Sequence, residues 1–409
     1  MKRLTEILLA GVLLFDGSAS VFAAAPEGFV AKDGNRLMRN GREYRAIGVN
    51  MPNLHQSYFG TWLHNKDKYG SDENAKQAMI AGVEDASRSG FKFIRFFADP
   101  GYPKDIDLLY ARNPEKYWKL MDEVFALCRA NDLRLVPCLN MIDGCFAEYY
   151  GEPKQAILDP ESKTHQAAYK YIRDFVTRYK DDPLVLMWEL GNERMLNADV
   201  DRQGHKALPA ECFTDDKQPR EFRTREDSLT FHHYLRLYKE QATLIKKLDP
   251  NHLVNSGDAA VRQECTSRRE TFPNFTFRDD TSRERIANNL YSQPEPLDVY
   301  SYHFYPHGNP RPRWGMTEGM RKLLVATLAT DTPVYIGELG QDRPSFGEDP
   351  EAKATIAFID MADEVGVSLI SLWVWHFTWQ PDRTLSSATH PALVERCAAW
   401  NRKYAGEGK

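Results

Sequence analysis

The chain has little cysteine and no long apolar segment beyond its first residues. Its 409 residues include six cysteines, none of them in a Cys-x-x-Cys pair, which excludes a small disulfide-built scaffold. Cys212 and Cys265 lie in polar stretches, where an oxidising compartment would permit a bridge that the sequence does not establish. No later segment has eighteen unbroken apolar residues, so we expect no membrane-spanning helix in the mature chain.

Other binding signatures are missing as well. The formal net charge is −5, and no basic stripe indicates a nucleic-acid partner. Neither G-x-G-x-x-G nor a phosphate-binding loop follows an early strand, so a doubly wound open sheet lacks its usual support. His303 and His307 have no acidic or cysteine neighbours at zinc spacing, so we expect no metal and no other cofactor. We predict a monomer.

The first residues have the layout of a secretory signal peptide. Lys2 and Arg3 precede an apolar run at 7–15, and small residues follow it. We therefore predict a signal peptide at 1–23, a mature chain of 24–409, and a secreted or periplasmic location. A buried N-terminal helix is the alternative.

Eight short apolar or β-branched runs alternate with amphipathic helical stretches along the rest of the chain. They lie at 44–50, 91–97, 133–139, 184–190, 252–257, 298–305, 332–339 and 367–375. Runs that are apolar nearly throughout are typical of parallel strands covered on both faces. Eight such alternations predict an α/β fold, a single-domain (β/α)8 TIM barrel. A doubly wound open sheet is the alternative.

The longest irregular segments, 140–164 and 195–227, follow the third and fourth strands. Loops that follow the strands of a barrel form its C-terminal rim, where active sites are built. The second segment is dense in charge, which is typical of a solvated loop or of a wall of the substrate cleft. We favour the wall.

Two glutamates stand at matching strand ends. Glu193 comes just beyond the fourth strand, and Glu338 ends the seventh. Carboxylates at the C-terminal ends of strands in one barrel face the same cleft. Glycoside hydrolysis requires such a pair, because one acid protonates the leaving oxygen while the other attacks or activates water.

The stretches around these acids, WELGNE (188–193) and VYIGELG (334–340), resemble the motifs of clan A glycoside hydrolases, most closely family 5. The resemblance runs over nearly the whole mature chain. It implies that Glu193 is the general acid/base and Glu338 the nucleophile, and that configuration is retained. Retention in turn predicts carboxyl groups about 5–5.5 Å apart.

The same resemblance assigns supporting residues. They are Arg95, Asn192, His303, Tyr305 and Trp373, with Trp375 as the alternative alignment for the tryptophan. Arg95 and Tyr305 can donate to Glu338, and Asn192 can bind the sugar 2-hydroxyl. Other interpretations are a core histidine for His303 and a rim salt bridge for Arg95. One of the two tryptophans can also pack between barrel and helices.

The substrate is less well determined by the sequence. Asn140 stands where many family members have a histidine, and GFVAKDGNRLMRNGREYRAIGVNMPNL and VPCLNMIDGCFAEYYG resemble the β-mannanase branch. The resemblance therefore implies an endo-β-1,4-mannanase whose partner is a β-linked polysaccharide or oligosaccharide. A β-1,4-glucanase, an exo-acting β-mannosidase and a non-catalytic carbohydrate-binding barrel are alternatives. Tyr58, Phe59 and Trp62 are candidates for an outer sugar platform.

Overall fold

The fold is a barrel of parallel strands surrounded by helices. The computed structural model describes residues 26–140, 144–217, 219–305, 317–340 and 352–405. The predicted signal peptide at 1–23 lies outside the described residues, as does His307. In the described chain, no helix is both long and apolar enough to cross a membrane.

Eight parallel strands form the barrel, and each coincides with one of the eight predicted runs, β10 extending one residue beyond its run. They are β4 (Ala46–Asn50), β5 (Phe93–Phe97), β6 (Arg134–Cys138), β7 (Met187–Glu189), β8 (Leu253–Asn255), β9 (Tyr300–Phe304), β10 (Val334–Gly340) and β11 (Leu369–Trp373). The order in the sheet is β8-β7-β6-β5-β4-β11-β10-β9, and a parallel bridge between Asn255 and Val299 joins the two ends. The (β/α)8 prediction is confirmed.

Helices cover the outer face of the barrel. They are α1 (Leu54–Phe59), α2 (Asn65–Tyr69), α3 (Asp72–Arg88), α4 (Pro103–Asp105), α5 (Pro114–Ala130), α6 (Cys145–Tyr150), α7 (Lys163–Tyr179), α8 (Phe231–Leu248), α9 (Cys265–Thr271), α10 (Ser282–Tyr291), α11 (Thr317–Leu328), α12 (Lys353–Val365) and α13 (Pro391–Tyr404). Short 3-10 turns lie at Lys154–Leu158, Arg194–Asn197, Ala210–Cys212 and Arg225–Asp227, and a π-helical turn at Ile106–Ala111.

A small antiparallel sheet precedes the barrel. Its strands are β1 (Val30–Asp33), β2 (Arg36–Arg39) and β3 (Arg42–Glu43). Asn40 and Gly41 connect β2 to β3 with φ of 49° and 74°, the backbone that an Asn-Gly hairpin turn requires. Leu37 of β2 is fully buried and belongs to the apolar cluster inside the N-terminal end of the barrel. The sheet therefore closes the end opposite the loops that carry the candidate site.

The two long connections after β6 and β7 contact each other through buried charges. Arg220 pairs with Asp227 at 3.0 Å and with Glu148 of α6 at 3.3 Å, and Arg223 reaches Glu148 at 3.6 Å. Both carboxylates are nearly inaccessible to solvent. The charge-dense 195–227 segment is thus anchored on α6.

The structure bears on two points that the sequence left open. Cys212 and Cys265 are both buried as thiols and are not bridged to each other. Trp375 is 1% exposed, and its indole N–H donates to the Gly82 carbonyl of α3 at 3.0 Å. Trp375 therefore packs between the barrel and its helices. The alternative alignment, which placed Trp375 at the site, is wrong.

Because of this placement, we expect Trp375→Phe to lower stability through a lost hydrogen bond and a small cavity. The expected change in the free energy of unfolding is about 1–3 kcal/mol, measured by urea denaturation. Tyr291→Phe, at a side chain that is 57% exposed, is the control and should change stability by less than about 0.5 kcal/mol. Equal stabilities of the two variants would contradict this packing.

Candidate active site

A buried arginine lies at the centre of the polar cluster inside the C-terminal end of the barrel. Arg95 of β5 is fully buried. Its Nε donates to Glu189 Oε1 at 2.8 Å, and its Nη1 donates to Asn50 Oδ1 and Glu338 Oε1, both at 2.9 Å. Its Nη2 donates to Asn192 Oδ1 at 2.6 Å. Arg95 thus links residues from β4, β7 and β10 and is not a rim salt bridge.

A bulge in β10 turns Glu338 toward this arginine. Ile336 pairs with Tyr302 of β9 and Glu338 with His303, so Gly337 is one extra residue in β10. A bulge re-aims the side chains that follow it. A Cβ on residue 337 would lie 2.7 Å from Nε2 of His303, so the position has room only for glycine unless that ring moves.

Both carboxylate oxygens of Glu338 are held. Oε1 accepts from Arg95, and Oε2 accepts a short hydrogen bond from the Tyr305 hydroxyl. Burial and the nearby carboxylates raise the pKa of Tyr305 well above its usual range, so the phenol remains a donor. Donation from a guanidinium and a phenol favours the ionised carboxylate and fixes its orientation.

Glu193 lies opposite Glu338, and its side chain is more exposed to solvent. Its side chain is 30% exposed, and Oε1 lies 3.1 Å from Nδ1 of His303. A carboxylate oxygen of Glu193 lies within 4.8 Å of one of Glu338. This limit on one pair of oxygens is compatible with the spacing of about 5–5.5 Å between carboxyl groups in retaining enzymes.

The imidazole of His303 lies between the two acids. Its Nδ1 is 3.1 Å from Glu193 and 3.4 Å from Glu338. Burial lowers the pKa of His303 to about 3, so the ring is neutral near pH 7. It can therefore contact both carboxylates without adding a positive charge.

Trp373 forms one wall of an aromatic cleft at the C-terminal end of the barrel. Gly340, two residues after Glu338, pairs with Trp373 across β10 and β11. The Trp373 indole N–H donates to Gln380 Oε1 at 2.7 Å. The cleft holds about 200 Å³ and is lined by aromatic residues from the ends of β5 and β11 and from the loops after β4, β5 and β11, namely Trp62, Phe97, Tyr102, Trp373, Phe377 and Trp379. Aromatic faces of this kind suit the apolar faces of sugar rings.

Three other sequence candidates make contacts outside this cluster. Asn140 follows β6, is 8% exposed, and lines a small cavity beside α6. Tyr58 bonds Glu123 at 3.3 Å, and Phe59 packs edge-on against another aromatic ring. Of the three proposed platform residues, Trp62 alone is among those that line the 200 Å³ cleft.

Sequence reasoning missed two members of the cluster. Glu189 is fully buried within β7 and pairs with Arg95, and its burial raises the pKa of its carboxyl group while Arg95 lowers it. Asn50 ends β4 and donates to the Gly337 carbonyl at 2.9 Å. An acid inside an apolar strand and an amide at a strand end are signals that could have identified both.

Within the described ranges, one group of three side chains has the spacing of metal ligands: Glu193, His303 and Glu338. Glu338 already accepts from Arg95 and Tyr305. The cluster supplies acid–base and nucleophilic chemistry from its own side chains, and we interpret it as a carboxylate pair.

Comparison with known proteins agrees with this geometry. A family model described as Cellulase (glycosyl hydrolase family 5) matches residues 46–378. Mannan endo-1,4-beta-mannosidase 3 of Arabidopsis thaliana is 22% identical, over 92% of this chain and 88% of that protein. Probable mannan endo-1,4-beta-mannosidase C of Aspergillus terreus is 38% identical, over 22% of this chain and 18% of that protein.

Solved structures share the fold. The endo-1,4-beta-mannanase from Rhizomucor miehei aligns with a TM-score of 0.62 and 15% identity, over 91% of this chain and 99% of that one. The exo-beta-1,4-mannosidase from Opitutaceae bacterium strain TAV5 aligns with a TM-score of 0.60 and 17% identity, over 92% of this chain and 64% of that one. The fold is therefore shared with endo- and exo-acting enzymes alike.

We expect Glu189→Gln to destabilise the protein because it removes one charge from a fully buried ion pair. The expected loss in the free energy of unfolding is about 3 kcal/mol, measured by chemical denaturation at pH 7. Glu318→Gln is the control, since Glu318 forms an exposed pair with Lys322 at 3.6 Å, and it should cost less than about 1 kcal/mol. A loss for Glu189→Gln as small as that of the control would show that Arg95 needs no second carboxylate.

Proposed function

Since the chain belongs to glycosyl hydrolase family 5, we propose that this glycoside hydrolase is a retaining endo-β-1,4-mannanase. Glu338 is the nucleophile and Glu193 the general acid/base. The observation that carries the assignment is the unequal setting of two carboxylates within 4.8 Å of each other. Glu338 is 3% exposed and bound by two donors, whereas Glu193 is 30% exposed and lies against a neutral histidine.

The difference between the carboxylates supports distinct roles in two steps. In the first, Glu338 attacks the anomeric carbon while Glu193 gives its proton to the departing glycosidic oxygen. This leaves a covalent glycosyl–enzyme ester. In the second, Glu193 takes a proton from water, the water oxygen bonds the anomeric carbon, and Glu338 leaves as carboxylate.

Asn192 is placed to bind the sugar. Its Oδ1 accepts from Arg95, and since a guanidinium is only a donor, this bond fixes which way the amide faces. Nδ2 of Asn192 can then donate to the substrate. We assign this donor to the 2-hydroxyl of the sugar attacked by Glu338, a contact that strengthens in the transition state.

The assignment to mannan rests on the relatives. The curated relatives named above carry the description mannan endo-1,4-beta-mannosidase. The aromatic cleft beside Trp373 suits any β-linked pyranose chain and does not by itself select mannose over glucose. Exo action is the second candidate, because the fold is shared with an exo-beta-1,4-mannosidase. We also propose export, on the basis of the leader-like residues 1–23.

The test is release of reducing sugar from β-mannan and from mixed-linkage β-glucan. We expect activity on mannan, a loss of about 10²–10⁴-fold in Glu193→Ala, and a loss at least as large in Glu338→Ala. Glu318→Ala, at a side chain that is 67% exposed, is the control and should retain activity. A fluorinated mannoside that traps the intermediate should label Glu338, as seen by peptide mass spectrometry.

Other outcomes would change specific parts of the proposal. Activity on glucan alone would overturn the assignment to mannan but keep the mechanism. Activity that survives the loss of Glu338 would overturn the nucleophile. Viscosity of a mannan solution separates the modes of action, since an endo enzyme lowers it steeply per bond cut, and a slow decline would favour the exo alternative.

A further inference from the structure

The turn that carries Glu193 is held from the segment that follows β8. Glu193 has left-handed backbone, with φ of 50°. Such a conformation costs about 1–3 kcal/mol for a residue with a side chain and persists where neighbours fix it. The Glu193 N–H donates to the Gly257 carbonyl at 3.0 Å, and the Met195 N–H donates to Asp258 Oδ1 at 2.9 Å. Gly257 and Asp258 therefore bind the backbone on either side of the Glu193 side chain.

Asp258 is itself fixed on several sides. It is fully buried. Its Oδ2 accepts from the hydroxyl of Tyr238 on α8 at 2.5 Å, and its backbone carbonyl accepts from Ser301 Oγ of β9 at 3.3 Å. Arg194, next to Glu193, is buried and lies with its guanidinium 5.7 Å from the Tyr238 ring. The carboxyl group of Asp258 thus joins the turn, α8 and the β8 segment into one unit.

Asp258 and Glu193 also interact through charge. Burial raises the pKa of Asp258 to about 7, the Met195 N–H, Tyr238 and Arg194 lower it, and the charge of Glu193 raises it. Electrostatic coupling between two titrating groups is mutual. An ionised Asp258 therefore disfavours the ionised form of Glu193.

The remaining titratable and charged groups around this pair lie on other elements. On the cleft side, Glu193 faces His303, Tyr305 and Glu338. Beside the turn, Arg262 donates to the Leu196 carbonyl at 2.7 Å. These groups act equally in wild type and in variants of Asp258, so a comparison between the two isolates the contribution of Asp258.

We propose that Asp258 is a positioning residue for Glu193, an inference that rests on the proposed role of Glu193 as acid/base. Its carboxyl group holds the Met195 amide and so fixes the left-handed turn that aims Glu193 at the glycosidic oxygen. Where Asp258 is ionised, its negative charge favours the protonated form of Glu193, which the first step of hydrolysis uses. Asp258 is buried behind the turn and acts through it without touching the substrate.

The experiment compares kcat/KM for two substrates that differ in how much their cleavage depends on general-acid catalysis. An unsubstituted manno-oligosaccharide requires protonation of its leaving oxygen, whereas its 2,4-dinitrophenyl counterpart has a leaving group that departs without it. For Asp258→Asn we expect about a tenfold loss on the oligosaccharide and little loss on the dinitrophenyl substrate. The basic limb of the kcat/KM profile should move to lower pH by about half a unit or more.

Two further variants keep the result interpretable. Tyr238→Phe keeps the Asp258 carboxyl group and its bond to Met195 but removes a donor that lowers the pKa of Asp258. Because less of the negative charge then remains, it should show a smaller loss in the same direction even if Asp258→Asn folds poorly. Asp280→Asn is the matched control, because Asp280 is 2% exposed, accepts from Asn288 and the Thr266 amide, and lies in the α9–α10 region. It should leave the pH profile unchanged.

Specific outcomes decide between the proposals. Equal losses on both substrates with an unmoved basic limb would mean that Asp258 only supports the fold, and this inference would be overturned while the mechanism stands. An unchanged oligosaccharide rate in folded Asp258→Asn would overturn it too. If wild-type protein cleaved the dinitrophenyl substrate and Glu193→Ala lost no more on the oligosaccharide than on that substrate, the assignment of Glu193 itself would fail.

Discussion

The site depends on one buried cation. Arg95 is fully enclosed, and its charge is balanced by Glu189 on one side and Glu338 on the other. A guanidinium cannot lose its proton at accessible pH, so its burial requires anionic partners and filled hydrogen bonds. Meeting that requirement brings together the ends of β4, β7 and β10. Glu338, the proposed nucleophile, is thereby one of the two anions that compensate the buried charge of Arg95, so the proposed catalysis and the stability of the fold depend on the same contacts.

The two carboxylates are held by different means. Glu338 lies on a strand and is bound through its side chain, so its orientation follows from the barrel itself. Glu193 lies on a turn, and its backbone is bound by the segment after β8. A nucleophile needs a fixed line of approach, whereas an acid/base first donates a proton to one oxygen and later accepts one from another. A more open side chain on a firmly held backbone suits the second task.

Much of this architecture could be predicted from the sequence, because buried parallel strands appear as apolar runs and the two glutamates end such runs. The small N-terminal sheet was missed, although Asn40-Gly41 is a strong hairpin signal. Glu189 was missed because its partner, Arg95, is 94 residues away, and no local pattern shows that pairing. Trp373 and Trp375 could not be separated by alternation alone. The contacts with Gln380 and Gly82 that distinguish them belong to the tertiary structure.

The bulge at Gly337 means that Glu338 faces the barrel interior because β10 contains one extra residue. With strict alternation from Tyr335, position 337 would face inward and Glu338 would face the surrounding helices. The extra residue shifts the phase of β10 by one, so a glutamate and its apolar neighbour Leu339 exchange sides of the sheet. Loss of this bulge at unchanged chain length would therefore leave every chemical group of the site in the chain and still place Glu338 in the apolar layer outside the barrel.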